Sequence, residues 1–170
     1  MNHKIYLRKL CTNNIDKLNV LDCFAGENHI WKNFKTNRYY SIEKEPNKGK
    51  NIHADNMKIL PSLDLSNFNV IDLDSYGIPI EQLNAILKNP TLASGTCIIY
   101  TCIGNKMSTL NKFFVQYYNI ENMYKNAKTL FNNMSYQMFI GYLYDNGIKT
   151  VYEYEEPSNH FYKKYGFFNV

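Results

Sequence analysis

The stretch Val70-Ile-Asp-Leu-Asp-Ser-Tyr-Gly-Ile-Pro79 places a polar turn directly after a short apolar run. The run has the near-continuous apolar character of a strand that is buried on both faces of a sheet. Asp74, Ser75 and Gly77 are common turn residues, and Pro79 suits the first turn of a helix. The stretch therefore predicts a buried strand, a loop and a helix, which is the repeating unit of an α/β protein.

Further strand-like and helix-like patterns alternate on both sides of this stretch. The central run begins at Phe68, and the other strand-like runs are Leu18–Cys23, Arg38–Ile42, Lys50–Ala54 and Thr96–Cys102. Apolar residues recur at helical spacing over Ile80–Leu87, Leu110–Tyr118 and Ile120–Met134. Because such stripes usually face a core, we expect them to pack against the sheet.

The C-terminal third of the chain predicts a β-hairpin. Met138–Tyr144 and Lys149–Tyr154 are strand-like, and Asn146-Gly147 between them is a strong short-range hairpin signal. Five βα units followed by a hairpin predict an α/β fold with a mostly parallel central sheet and a C-terminal antiparallel β-hairpin. We expect residues 1–170 to form a single domain, because the length is typical of one.

Charge and composition narrow the class of protein. The first fifty residues hold ten Lys and Arg against five Asp and Glu, which suits a polyanionic partner and equally suits an ordinary solvated surface. No apolar run reaches the roughly 18 residues of a membrane span, and the basic N-terminus does not resemble a signal peptide. The four cysteines are interpreted as free thiols, and the scattered histidines predict no metal site. We expect a cytoplasmic protein that is not associated with a membrane.

Carboxylates end four successive predicted strands. Asp22 ends the first strand, Glu43 the second, Asp55 the third, and Asp72 and Asp74 the fourth. Any one of them alone is more often a helix cap or a turn residue. Together they should lie along the carboxyl edge of one sheet, where open α/β sheets bind ligands. The set therefore predicts a ligand site at this edge.

The segment Val20–Trp31 resembles the first motif of class I methyltransferases that depend on S-adenosyl-L-methionine (SAM). That motif is an aspartate, an aromatic residue and a glycine-containing turn after the first strand of a Rossmann-like methyltransferase fold. The resemblance implies a SAM site, in which the following residues take part. Asp22, Phe24, Ala25 and Gly26 would line the amino-acid part of SAM, Glu43 would hold the ribose, and Asp55 would lie near the adenine amine.

The segment Ile71–Pro79 resembles the fourth motif of the tRNA guanine dimethyltransferase family, and it is related to the motif of enzymes that methylate base amines in DNA and RNA. The resemblance implies that Asp74 accepts a hydrogen bond from the exocyclic amine of the target base. Tyr76 would stack on the extruded base. Asp72 would support Asp74 or contact SAM, and Gly77 would let the backbone approach closely.

These features predict a SAM-dependent methyltransferase that acts on an exocyclic base amine in nucleic acid, with RNA favoured over DNA. One alternative is methyl transfer to a small molecule or a protein, because a fold alone does not identify a substrate. The other is a catalytically degenerate module that binds a nucleotide or a partner. Asn28, in place of a glycine, and Ser75, in place of a proline, favour that alternative. The small size leaves open a homo-oligomer or a partner subunit.

Two further segments have both a functional and a structural interpretation. Lys44, Lys48 and Lys50 could form a basic loop that holds phosphates, or a solvated loop. The aromatic and lysine-rich segment 161–168 could form a stacking platform for bases. We favour a final strand packed on the core for this second segment.

Overall fold

A computed structural model describes residues 3–26, 30–45, 52–105, 109–149, 152–156 and 161–170. Its strands are β1 (Asn19–Asp22), β2 (Arg38–Glu43), β3 (Ile52–His53), β4 (Val70–Asp74), β5 (Cys97–Asn105), β6 (Tyr152–Glu156) and β7 (Phe161–Asn169). They form one seven-stranded sheet in the order β3-β2-β1-β4-β5-β7-β6. The first five strands are parallel, whereas β7 runs antiparallel to both β5 and β6. The predicted fold class, a mostly parallel sheet with an antiparallel C-terminal pair, is confirmed.

Helices cover both faces of this sheet. They are α1 (His3–Thr12), α2 (Asn56–Ile59), α3 (Ile80–Leu87), α4 (Lys112–Tyr117), α5 (Glu121–Asn126), α6 (Lys128–Asn133) and α7 (Ser135–Asp145), with a 3-10 turn at Trp31–Asn33. One face packs on α1 and the 3-10 turn through a core that includes Leu7, Trp31 and Val70; we call it the α1 face. The opposite α7 face packs on α3, α4 and α7. No helix among the described residues is long and apolar enough to cross a membrane.

The alternation of side chains along a strand divides the strand-end carboxylates between these faces. In β4, Val70 belongs to the core of the α1 face, whereas Ile71 and Leu73 belong to that of the α7 face. Because residues two apart share a face, Asp72 and Asp74 lie on the α1 face. Asp22 follows Val20 on the same face of β1 and pairs in register with Asp72.

The predicted hairpin is wrong in its first arm, because Met138–Tyr144 lies within α7 rather than in a strand. Tyr136, Phe139 and Leu143 are all buried, and their spacing is that of a helix face and not of a strand. Asn146-Gly147 ends this helix: Gly147 has φ +74°, and the N–H of Ile148 donates to the carbonyl of Leu143. This is the Schellman arrangement of a helix end. The antiparallel pair is instead formed by β6 and β7. The final strand interpreted for segment 161–168 is present as β7, but its pairing with β6 was not predicted.

The predicted Ile120–Met134 stripe is only partly core-facing. The chain breaks at Ala127 (φ −138°, ψ 45°) into two helices of six residues each. Because the break changes the direction of the chain, one continuous stripe cannot face the sheet along its whole length. Met123 and Leu130 are therefore more than half exposed, at 56% and 58%.

The N-terminal helix α1 was not predicted from the sequence, and a buried ion pair docks it. Arg8 is fully buried, and its Nε and Nη2 donate to the two carboxylate oxygens of Asp72 at 2.7 and 2.8 Å. The indole Nε1 of Trp31 donates to the same carboxylate at 2.7 Å. Burial alone would lower the pKa of Arg8, but the carboxylates of Asp72 and Asp74 more than offset this and raise it. Arg8 thus stays charged beneath the sheet edge.

We expect Arg8→Met to destabilise the protein by about 3–5 kcal/mol, because the variant leaves the buried carboxylate of Asp72 without its cation. The double variant Arg8→Met/Asp72→Leu should recover part of this loss, since it removes the uncompensated charge as well. Urea unfolding measures both effects. Lys9→Met is the matched control, because Lys9 is the exposed neighbour of Arg8 on the same helix. A stability of Arg8→Met equal to that of this control would contradict the docking role.

Candidate active site

A cavity of about 310 Å³ lies at the carboxyl ends of β1, β2 and β3; we call it the β1–β3 cavity. The side chains and backbone that line it come from three loops and the start of α2. They are Cys23, Phe24, Ile42, Glu43, Lys44, Glu45, Ala54, Asp55 and Asn56. Three of the predicted cofactor residues, Phe24, Glu43 and Asp55, are therefore brought together in one cavity.

Glu43 is held in place by the turn after β1. Its Oε2 accepts a hydrogen bond from the N–H of Gly26 at 2.9 Å, and its Oε1 accepts one from the N–H of Glu45 at 3.0 Å. Gly26 has φ +53°, a backbone geometry that favours glycine. Each carboxylate oxygen has a second lone pair available, so Glu43 can still accept hydrogen bonds from a ligand in the cavity.

Asp55 and Asn56 form the opposite wall of the β1–β3 cavity. The Oδ1 of Asp55 caps α2 by accepting from the N–H of Met57 at 3.0 Å, while its Oδ2 lies 3.8 Å from Nζ of Lys44. The Nδ2 of Asn56 donates to the carbonyl of Cys23 at 3.1 Å. Asp55 thus acts as a helix cap and also keeps one oxygen toward the cavity edge.

Asp22 is buried rather than open to the β1–β3 cavity. Its Oδ2 accepts from the hydroxyl of Tyr39 at 3.0 Å, and its Oδ1 accepts from the N–H of Phe24 at 3.2 Å. Burial and then the neighbouring Asp72 carboxylate raise the pKa of Asp22 to about 7, although these two hydrogen bonds oppose the rise. Through Phe24, Asp22 supports the turn that carries Ala25 and Gly26.

The two carboxylates of β4 are both engaged by α1. Asp72 is bound by Arg8 and Trp31, as described above. The Nζ of Lys4 donates to both oxygens of Asp74, at 2.7 and 2.8 Å, and Nη2 of Arg8 lies 3.4 Å from the same carboxylate. The Asp74 side chain nevertheless keeps 12% exposure, whereas that of Asp72 keeps only 1%. Asp74 is thus the more accessible of the two.

The loop after β4 carries a fully exposed aromatic ring. The Tyr76 side chain is 100% exposed, and Gly77 adopts φ +101°. The hydroxyl of Ser75 donates to the carbonyl of Thr101 at 3.3 Å, and the carbonyl of Gly77 accepts from the N–H of Ile103 at 2.9 Å. These bonds to β5 restrain the loop without the proline that its family resemblance would place at Ser75.

A second cavity, of about 240 Å³, adjoins this loop; we call it the Tyr76 cavity. Its lining comes from the loop after β4, the end of β5, the residues just before α4, α7 and β7. The residues are Tyr76, Gly77, Ile78, Ile103, Gly104, Thr109, Asn111, Ser135 and Tyr162. Asp74 does not line this cavity, because its side chain turns to Lys4 on the α1 face.

Several residues at these sites were missed by reasoning from the sequence. Lys4 and Arg8 carried no signal, because they lie more than sixty residues away in the chain from the carboxylates that they bind. Asn56 could have been found, since it directly follows Asp55 at a strand end. Asn28, Lys48 and Lys50, which were interpreted from the sequence, lie outside the described residues.

Comparison with known proteins identifies the fold. No family model matches the sequence, and no curated protein matches it either. The N-methyltransferase NodS from Bradyrhizobium japonicum WM9 is 12% identical, with 98% of this chain and 94% of that chain covered and a TM-score of 0.59. An rRNA methylase from Streptococcus thermophilus is 10% identical, with 100% and 97% covered and a TM-score of 0.56.

A third structure was determined with bound SAH. It is the magnesium protoporphyrin IX methyltransferase from Synechocystis PCC 6803, which is 11% identical, with 98% of this chain and 82% of that chain covered and a TM-score of 0.56. At these identities the likeness shows the fold alone. The chain has the Rossmann-like fold of SAM-dependent methyltransferases, as the resemblance of Val20–Trp31 implied.

We expect the stability of the protein to depend on pH through Asp22. Its pKa is about 7 in the folded protein and about 3.8 when it is unperturbed. Between these pH values Asp22 is therefore protonated in the folded state and ionised in the unfolded state. Stability from this group is therefore lost as pH rises from about 4 to about 7. Asp22→Asn has no such group, and its stability relative to the parent should increase by roughly 3 kcal/mol across this window.

Urea unfolding of the parent and of Asp22→Asn, at pH about 4.5 and about 7.5, measures this difference. Asp64→Asn is the matched control, because Asp64 is an exposed carboxylate whose pKa is lowered by hydrogen bonds from Ser66. Parallel pH profiles for the parent and Asp22→Asn would show that Asp22 titrates normally.

Proposed function

We propose that the protein is a SAM-dependent methyltransferase and that the β1–β3 cavity binds SAM. The observation that carries the proposal is the convergence of Phe24, Glu43 and Asp55 on one cavity at the carboxyl edge of this fold. Glu43 would accept hydrogen bonds from the ribose hydroxyls, and Asp55 and Asn56 would meet the adenine edge. The turn at Ala25 and Gly26, held by Glu43, would carry the amino-acid part of SAM.

For the acceptor, we propose a site formed by Asp74, which ends β4 on the α1 face, and by Tyr76 in the loop that follows it. SAM would supply an activated methyl group, because its sulfonium is a good leaving group, so the chain needs mainly to orient the acceptor. The Tyr76 ring is free to stack on a base. Asp74 would accept a hydrogen bond from the exocyclic amine, which would replace the ammonium of Lys4 at the same carboxylate.

The proposed substrate is an exocyclic base amine in nucleic acid, with RNA favoured over DNA. The similarity of residues 71–79 to the tRNA guanine dimethyltransferase motif supports this proposal, as does the exposed stacking ring at Tyr76. The structural neighbours include enzymes named for rRNA and for a porphyrin, so they do not distinguish these substrates. Incubation with SAM labelled with tritium in its methyl group, together with RNA, DNA and protein, tests the substrate class, and label only in protein would contradict it.

We expect Glu43→Ala to weaken SAM binding at least about tenfold, because charge-assisted hydrogen bonds contribute about 1.5–3 kcal/mol each. The variant also releases the N–H of Gly26 from its acceptor. Isothermal titration calorimetry with SAM measures the change. Glu81→Gln is the control, since Glu81 is exposed in the first turn of α3, outside the cavity lining. No SAM binding by the parent protein at millimolar concentration would rule out the proposed function.

We expect Asp74→Ala to reduce the methyl transfer rate by about a hundredfold or more, since a lost charged hydrogen bond at the reacting group costs about 3 kcal/mol. SAM binding should change little, because Asp74 lies outside the β1–β3 cavity. Tyr76→Phe keeps the stacking ring and should remain active, whereas Tyr76→Ala should raise KM for a nucleic acid acceptor. An unchanged rate for Asp74→Ala would show that another group accepts the hydrogen bond from the exocyclic amine.

A further inference from the structure

A further cavity, of about 740 Å³, is separate from the β1–β3 cavity and shares Thr109 with the lining of the Tyr76 cavity. It lies open to solvent between α4, α5, α6 and the residues just before α4; we call it the lysine cavity. The residues that line it are Thr109, Leu110, Lys112, Val115, Gln116, Asn119, Glu121, Tyr124, Lys125 and Lys128. None of these residues has a role in the methyl transfer proposed above.

The charge of the lysine cavity is positive. Lys112, Lys125 and Lys128 come from three different helices, and Glu121 is the one acidic residue in the lining. Lys125 and Glu121 form an exposed ion pair at 3.3 Å. Neither Lys112 nor Lys128 forms an ion pair within the part of the chain that the structure describes. The cavity therefore carries two lysine charges that are not offset locally, which favours an anionic ligand.

The other side chains favour a nucleotide chain over a simple anion. Gln116 and Asn119 place amide groups in the lining, and these can both donate and accept hydrogen bonds. Tyr124 adds a half-buried aromatic ring whose hydroxyl donates to Oδ1 of Asn132 at 3.1 Å. Lysines next to aromatic rings and amides are typical of surfaces that bind single-stranded nucleic acid.

The lysine cavity and the Tyr76 cavity, which belongs to the proposed acceptor site, share a lining residue. Thr109 lines both this cavity and the Tyr76 cavity. The neighbouring N–H of Leu110 donates to Oδ1 of Asn132 at 2.8 Å, which ties the shared wall to α6. The lysine cavity therefore lies next to the Tyr76 cavity, at which the proposed function places the target base.

We propose that the lysine cavity binds the sugar-phosphate backbone of a single-stranded RNA substrate next to its target nucleotide. This inference rests on the proposed function, because it assumes that the acceptor base lies at Tyr76. It also differs from the phosphate-binding loop at Lys44, Lys48 and Lys50, which was one of two interpretations of those residues from the sequence. Lys44 lines the proposed SAM cavity instead.

The test is fluorescence anisotropy of the 170-residue chain with a labelled single-stranded RNA of about 12 nucleotides. The triple variant Lys112→Ala/Lys125→Ala/Lys128→Ala should weaken binding at least about tenfold and reduce the slope of log K against log salt by about 2. The matched control is Lys9→Ala/Lys32→Ala/Lys35→Ala. It removes the same charge from exposed lysines of α1 and the segment around the 3-10 turn, on the other side of the sheet.

Equal weakening by the two triple variants would overturn the proposal, because it would reflect net charge alone. Unchanged binding in the Lys112/Lys125/Lys128 variant would also overturn it. Calorimetry with SAM separates these outcomes from a failure of the proposed function, since the lysine variants should bind SAM as the parent does. If the protein binds RNA through the three lysines but does not bind SAM, the proposed RNA site stands and the proposed methyltransferase function is rejected.

Discussion

The buried ion pair between Arg8 and Asp72 is the interaction on which the arrangement of the proposed active site depends. It joins α1 to the central strand β4, and through Trp31 it also anchors the segment after β1. A buried carboxylate without such partners would be strongly destabilising, so the pair determines whether the sheet edge can carry these charges at all. It also brings Lys4, one helical turn away, to Asp74.

This ion pair explains why the strand-end carboxylates have different roles. Side chains alternate along β4, so Asp72 and Asp74 are both directed to the α1 face, where helix α1 neutralises them. Glu43 ends β2 and Asp55 follows the edge strand β3, and both line the β1–β3 cavity. Four strand ends with the same residue chemistry thus provide one structural charge network and one ligand cavity.

Local patterns in the sequence predicted most of this architecture. The failures share a physical cause, because in each the outcome is decided by packing that a local pattern does not contain. Apolar runs located β1, β4 and β5, because strands buried on both faces leave a clear local signal. Asn146-Gly147 was misread because the same dipeptide can close a hairpin or end a helix, and the buried spacing of Tyr136, Phe139 and Leu143 favours the helix. Similarly, α1 could not be predicted, because its packing depends on an ion pair with a residue 64 positions away.

The charge balance of the α1 face bears on what the sheet edge can bind. Three carboxylates, Asp22, Asp72 and Asp74, lie near two cations, Lys4 and Arg8. The carboxylates therefore outnumber the cations. The effect is seen at Asp22, whose pKa rises to about 7 because it is buried beside Asp72. A cation placed at the turn after β1 would reduce this repulsion. SAM carries an ammonium, a sulfonium and a carboxylate and is therefore a net cation, which suits an edge with an excess of carboxylates, so stability and proposed ligand preference have the same electrostatic origin.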